Sequence, residues 1–415
     1  MASEKQPIAE IIAAIDHIAQ RFLNRDDPLR HAAALQLASV FSQEMSRTIL
    51  DRLFHQLTRT QLFHLLEEEL GDPFILDRFR PRRDTVLFTR AYGPERITHI
   101  LPGNIPDIAV MSLVFGLLVK SKSMAKISST APSLVPLFLQ ALQQVDQGLS
   151  ESIVLIPDRS EISAIHDAFH WANLIILYGS DQTIDFFRTH ISPDKKTITY
   201  GTKYSVGIVS REESSRWVAD AAARDIALYD QKGCLSPHIY YVEEGVVTPL
   251  QFAQWVAEAL EKIPPSKGPI HAETASMIQQ LRGTIPLTGG TLFASQESVN
   301  WTVLYDPDRS FTPSPLSRTI FIKPVRDISE IPSLLEPVQY HLQAVGVAIA
   351  SARLPPQLDA LGRLGVSRIC PIGTMQEPPL TWHHDGRFRI VDLLRFVDYE
   401  GPEILFSHGD ATITP

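Results

Sequence analysis

At 415 residues the chain has room for two to three domains of ordinary size, each able to bury a full core. Its 44% hydrophobic and 20% charged residues are a globular composition, which excludes collagen-like, disordered and disulfide-scaffold classes. The net charge of −9 opposes binding to a phosphate backbone, and the one basic run, Arg78, Arg80, Arg82 and Arg83, suits a solvated linker, so no nucleic-acid partner is expected. Cys234 and Cys370 are too few for a disulfide framework, which points to a reducing, cytoplasmic compartment. The longest apolar stretch, 108–119, is short and interrupted by Ser112 and Gly116, so no membrane span is expected.

Residues 5–70 read as helices. Ile8, Ile11, Ile12, Ile15, Ile18 and Phe22 follow the helical period, Asp27 and Pro28 form an N-cap with an N1 proline, and Gly71 suits a stop. From about Thr85 the pattern changes to short β-rich runs separated by helical stretches: TVLFTR, RITHIL, MAKISS, SIVLIP, LIILYG, TITYG and SVGIVS. A second series follows Cys234, with IYYVEE, helices near 248–262 and 269–282, then TLFAS, WTVLYD, TIFIKPV, VGVAIA and RICPIG. Alternation of this kind predicts two α/β units with parallel sheets. The polar tail after Glu400 reads as loosely held.

The Walker, dinucleotide G-x-G-x-x-G, G-x-S-x-G and C-x-x-C motifs are all absent. His383, His384 and Asp385 are adjacent in sequence, and adjacent side chains rarely converge on one ion, so a structural or substrate-loop role is expected there and no metal. Cys234 sits between a helical stretch and a strand, after Gly233. That junction suits either a presented nucleophile, with Lys232 or a helix end favouring the thiolate, or a small buried hydrophobe. Cys370, inside an apolar strand, reads as the latter. His238, four residues after Cys234, is ~13 Å away along a strand, too far for a direct hydrogen bond.

The order of several pieces resembles the aldehyde dehydrogenase superfamily: an apolar strand ending in Pro102-Gly103-Asn104, a helix, Lys126-x-Ser128, a strand ending in Gly179-Ser180, then Gly233-Cys234. Within it the chain is similar to the LuxC-type acyl-CoA reductases, the fatty acid reductase component of bacterial bioluminescence operons. The residues that carry this likeness are GLLVKS (116–121), DQKGCLSPH (230–238), WTVLYD (301–306), PSPLSRTI (313–320), WHHDG (382–386) and RFVDYE (395–400).

The resemblance implies an aldehyde dehydrogenase-like α/β fold with a helical segment at 1–80, a dinucleotide-binding domain with an early oligomerisation hairpin at 81–228, a catalytic domain at 229–385, and a C-terminal strand and tail at 386–415. It implies that Cys234 is the nucleophile and that Asn104 is the side-chain donor of an oxyanion hole, with the Cys234 N–H as the second donor. The residues alone also allow Asn104 to be a turn residue. Lys126, Ser128, Ser129, Gly179 and Ser180 would bind the cofactor. Ser129 stands where NAD-preferring members carry an acidic residue for the ribose hydroxyls, which favours NADPH.

Aldehyde-oxidising members carry Glu-Leu-Gly-Gly-Lys, whose glutamate activates water. The matching stretch here is Thr199-Tyr200-Gly201-Thr202-Lys203, without a carboxylate. The expected reaction is therefore reduction of a fatty acyl thioester, an acyl-CoA or acyl-protein, to an aldehyde. Implied partners are an acyl-protein synthetase, an acyltransferase and further copies of the chain. The rival readings are a CoA-acylating aldehyde dehydrogenase acting on shorter aldehydes and a non-catalytic scaffold.

Overall fold

The computed structural model describes residues 6–82, 87–128, 132–157, 162–265, 267–296 and 298–401. Four helices open it: α1 (Ile8–Leu23), α2 (Pro28–Leu37), α3 (Gln43–Gln56) and α4 (Arg59–Leu70). The periodic residues of α1, from Ile8 to Phe22, are buried, and Phe22 stacks on Phe54 of α3 with ring centroids 4.0 Å apart. The Asp27 carboxylate accepts from the Leu29 N–H at 2.8 Å, and Gly71 closes α4 at φ 74°, a conformation glycine adopts without strain. These helices share one apolar core with the long buried helix that follows Asn104.

The strands, in chain order, are β1 (Arg80–Pro81), β2 (Leu87–Tyr92), β3 (Arg96–Ile100), β4 (Lys122–Lys126), β5 (Ile153–Ile156), β6 (Leu174–Tyr178), β7 (Lys196–Tyr200), β8 (Tyr204–Val209), β9 (Pro237–Glu243), β10 (Thr291–Ala294), β11 (Thr302–Tyr305), β12 (Thr319–Val325), β13 (Leu342–Ala348), β14 (Arg368–Pro371) and β15 (Arg395–Glu400). A five-stranded parallel sheet has the order β5-β4-β3-β6-β7. Helix α5 (Pro106–Leu118) connects β3 to β4, and α9 (Asp181–Arg188) connects β6 to β7; between them α6 (Val135–Val145), α7 (Gln147–Glu151) and α8 (Ile162–Trp171) complete the crossovers.

A seven-stranded sheet, β10-β11-β12-β9-β8-β13-β14, is parallel except for its β10–β11 pair. Its central strand β9 is buried along its whole length, as a continuous apolar run in a covered parallel sheet should be. The helices around it include α10 (Arg216–Ala227), α11 (Pro249–Glu261) and α12 (Ala272–Thr284). The third sheet is small and antiparallel, β1-β2-β15, and joins the chain's early hairpin to its last described strand.

Every strand-like run read from the sequence is a strand here. A division at 228/229 does not follow the sheets, however. β8 and α10 lie before that point, yet β8 pairs with β9 and β13 in the second sheet. The loop at 201–203 links the two sheets, and it is short and polar, so no composition change marks it. Residues 402–415, read as a loose tail, lie outside the described residues.

Candidate active site

The loop that carries Cys234 is bent by three consecutive non-glycine residues in the left-handed region, Tyr229, Asp230 and Gln231, at φ 55°, 52° and 63°. Each costs on the order of 1 kcal/mol, so other contacts must hold the bend. A facing loop has the same feature at Leu316, Ser317 and Arg318, with φ 67°, 54° and 57°. The two are tied together. Arg318 donates from Nε and Nη2 to Asp230 Oδ1 at 2.9 and 2.8 Å, both side chains being 2% exposed. Gln231 donates to the carbonyls of Pro237 and Thr319, and its Oε1 accepts from the Thr319 N–H, all at 2.8 Å. The Tyr229 hydroxyl donates to the Asp107 carboxylate at the start of α5. Gly233 is needed for close approach: a Cβ there would lie 2.9 Å from Gln376 Oε1, whose amide nitrogen is bonded to Ser236.

Cys234 is half-buried. Its carbonyl accepts from Ser205 Oγ at 2.9 Å, and Ser205 Oγ in turn accepts from the Ala344 N–H at 3.2 Å, which fixes the loop against β8 and β13. The residue packs against Leu235, Ala344 and Trp382. Burial first, then the charge of Asp385, pushes the thiol up to about 12; backbone N–H groups of Cys234 and Leu235 and the Gln343 side chain oppose that shift only in part. Of the two opposing influences the sequence offered, Lys232 or a helix end favouring the thiolate and burial opposing it, burial prevails. Cys370 is buried in β14, away from the cavity lining.

The His383-His384-Asp385 segment, read as a structural or substrate loop, packs directly at this site. His384 is stacked between Tyr200 and Trp382, with centroids 4.6 and 5.0 Å away, and Tyr200 stacks on Tyr178 at 4.6 Å. Asp385, at φ 55°, accepts from Gln343 Nε2 at 2.8 Å, and its other oxygen is 3.8 Å from Lys203 Nζ. His238 uses Nδ1 to accept from the Ser314 N–H at 3.1 Å, and burial lowers its pKa to about 4. A neutral ring bonded in this way carries its proton on Nε2 and cannot act as a base.

A cavity of about 1040 Å³ runs along the site. One arm is lined by residues that follow the strands of the five-stranded sheet: Leu101–Asn104 after β3, Lys126–Ser128 at the end of β4, Gly179 and Ser180 after β6, and Gly201–Lys203 after β7. The crevice at the carboxyl ends of a parallel sheet, where the strand order reverses between β3 and β6, is where α/β folds bind nucleotides. Ser180 caps α9, its Oγ accepting from the Thr183 N–H at 3.3 Å. Cys234, Gln343 and Asp385 line the same cavity. Asn104 is exposed and donates from Nδ2 to the Lys232 carbonyl at 2.8 Å, which puts its amide beside the Cys234 loop. Thus Cys234, Asn104, Lys126, Ser128, Gly179 and Ser180 line one space; Ser129 lies outside the described residues.

Reading from sequence missed three participants. Ser205 and Gln343 sit in ordinary strand runs and carry no local signal. Asp385 lies in a quoted motif, yet its place in the cavity lining depends on a left-handed turn that sequence adjacency does not reveal.

Residues 3–396 match the family described as Acyl-CoA reductase (LuxC). The long-chain acyl-protein thioester reductase of Aliivibrio fischeri is 25% identical over 401 residues, covering 95% of this chain and 82% of the relative. Long-chain acyl-protein thioester reductase 2 of Photobacterium leiognathi is 25% identical over 377 residues, covering 87% and 76%. Among solved structures, aldehyde dehydrogenase 21 of Physcomitrella patens superposes with a TM-score of 0.74 at 12% identity, covering 95% of this chain and 86% of that one. The NADP complex of a Methanocaldococcus jannaschii glyceraldehyde-3-phosphate dehydrogenase gives 0.73 at 14% identity, covering 95% and 90%. The parallel sheets and the family match agree, and the chain belongs to the acyl-CoA reductase (LuxC) family, built on the aldehyde dehydrogenase fold.

Proposed function

We propose that this protein reduces a long-chain fatty acyl thioester to the fatty aldehyde through a Cys234 acyl-enzyme, with NADPH as reductant. The observation that carries the reading is that Cys234, on a loop pinned from both sides, lines the same cavity as the nucleotide-type crevice. The relatives' names supply the substrate class, a long-chain acyl group on a thiol carrier.

The crevice fits a dinucleotide. Gly179 and Ser180 line it at the N-terminus of α9, and Lys126 and Ser128 stand two strands over, across β3, where they would hold the adenosine ribose. A reduced nicotinamide held there supplies the hydride. Sγ of Cys234 attacks the acyl carbon, a C–S bond forms, and the carrier's C–S bond breaks as its sulfur departs. The acyl carbon accepts hydride, and the resulting oxyanion on Cys234 collapses with loss of the protein C–S bond to give aldehyde. In both halves the Asn104 amide and the Cys234 N–H donate to the oxyanion. The site takes apart two thioesters in turn, the carrier's by attack of Cys234 and the Cys234 thioester by attack of hydride. The β15 edge of the small sheet, with Phe396 part-exposed, is the surface assigned to pairing with another copy.

The direct test is intact-mass analysis after incubation with an acyl-CoA alone, which should add one acyl group at Cys234, and its discharge on addition of NADPH. Failure to acylate with any acyl thioester would contradict the reading. Asn104→Ala should leave the fold and NADPH binding intact but slow single-turnover thiol release by about 10²–10³-fold, the usual effect of removing one oxyanion donor. A change under threefold would leave Asn104 a turn residue. For the cofactor, kcat/KM should favour NADPH over NADH, and Ser129→Glu should relax or reverse the ratio, because a carboxylate there repels a 2′-phosphate and accepts from ribose hydroxyls. An unmoved ratio would sever Ser129 from cofactor choice.

A further inference from the structure

Asp385 is the one carboxyl-bearing side chain among the described residues that line the cavity. Gln343 connects it to the nucleophile: its amide donates to Asp385 Oδ1 at 2.8 Å, and its neighbour in β13, Ala344, packs against Cys234. Gln343 is 1% exposed and follows Leu342, the β13 residue in register with Tyr204; the next residue, Ala344, belongs to the link that holds the Cys234 carbonyl. The carboxyl group and the thiol are therefore fixed relative to each other by one strand.

We infer that Asp385 is the acid–base group of the acyl-transfer half-reaction, with Gln343 as its positioning residue. This inference rests on the proposed role of Cys234 as acyl acceptor. As Sγ bonds to the acyl carbon, the S–H bond breaks and the proton passes to the Asp385 carboxylate. When the tetrahedral adduct collapses, the carrier C–S bond breaks and the departing sulfur takes that proton, so Asp385 returns to carboxylate. No atom is oxidised or reduced in this half. After hydride transfer the protein C–S bond breaks, and Cys234 Sγ takes its proton from water as it leaves.

The need for such a group comes from the surroundings of the sulfur. A thiol that burial holds up to about 12 has almost no standing thiolate near neutral pH, so it must lose its proton as it attacks. An alkyl thiolate is also a poor leaving group without a proton. Of the other groups facing this point, His238 is committed to Ser314, and His384 is held in the aromatic stack. Around Asp385, burial raises its pKa while Lys203, Gln343 and Arg387 lower it. Its remaining ionisable neighbours are Tyr178 and Tyr200, which burial keeps protonated, and His384 Nε2 at 4.0 Å.

The test is Asp385→Asn in the full chain. Asparagine tolerates the left-handed φ of 55° and can still accept from Gln343, so the fold should stand. Single-turnover thiol release from an acyl-CoA should fall by about 10²–10³-fold. With an acyl thiophenol, whose leaving group needs no proton, the loss should shrink to within about tenfold. Alkylation of Cys234 by iodoacetamide at pH 8 should become faster, because a neutral neighbour no longer opposes the thiolate. Equal losses with both thioesters, slower alkylation, or an unchanged acyl-CoA rate would each overturn the assignment. A wild-type protein that takes up no acyl group at Cys234 would instead overturn the functional reading beneath it.

Discussion

Cys234→Ser should abolish acyl-enzyme formation and lower NADPH-dependent aldehyde production by at least about 10³-fold, whereas Cys370→Ser should retain both. The two cysteines differ in place, not in residue type. Cys234 lies on the cavity wall, with its carbonyl clamped by Ser205 and with Asp385 in the lining of the same cavity. Cys370 lies in β14 at a buried position opposite Gly346 of β13. A serine hydroxyl at 234 is a far weaker acid than even the raised thiol, and the alkoxide it would have to form is opposed by the same burial. Intact-mass labelling with an acyl-CoA and NADPH oxidation read the two effects separately. Equal acyl uptake by Cys234→Ser would move the nucleophile elsewhere.

Asp230→Ala should be the most damaging change outside the cavity. It leaves the Arg318 guanidinium 1% exposed with its carboxylate partner gone, and breaking a buried pair from one side typically costs about 3–5 kcal/mol. The melting temperature should drop on the order of 5–15 °C. Because the pair joins two left-handed loops, acyl transfer should fall as well, even at temperatures where the chain is folded. The double variant Asp230→Ala/Arg318→Leu should recover part of the stability, since removing both charges removes the stranded one. Calorimetry of the two single variants and the double one would show this coupling. A loss below about 1 kcal/mol for Asp230→Ala would mean that Gln231 and Tyr229 hold the loop without it.

Much of the fold was legible because its central strands are fully covered: runs such as IYYVEE and TIFIKPV are rich in β-branched and aromatic residues, and helices separate them. The caps at Asp27 and Gly71 follow from local chemistry and are present. Where pairing depends on distant partners, sequence reasoning went less far. β8 has the composition of the strands before it and pairs with the strands after it. The DQKGC and PSPLSRT segments were legible as family marks, but only their meeting through Asp230–Arg318 and Gln231–Thr319 explains the unusual residues: they hold two strained turns against each other. The same limit applies to the carboxylate. The stretch at 199–203 carries no carboxylate, yet Asp385, from the far end of the chain, brings one into the cavity that Cys234 lines, where Gln343 and Lys203 meet its oxygens.

That carboxylate sharpens the central question, because a carboxylate near an acyl-enzyme could serve water or the departing thiol. The most direct measurement is the product ratio after incubation with a long-chain acyl-CoA and saturating NADPH, read by mass spectrometry. Acyl transfer through Cys234 with hydride as the second attacking group predicts a fatty aldehyde with little free acid. Free acid in excess of aldehyde would contradict a thioester reductase.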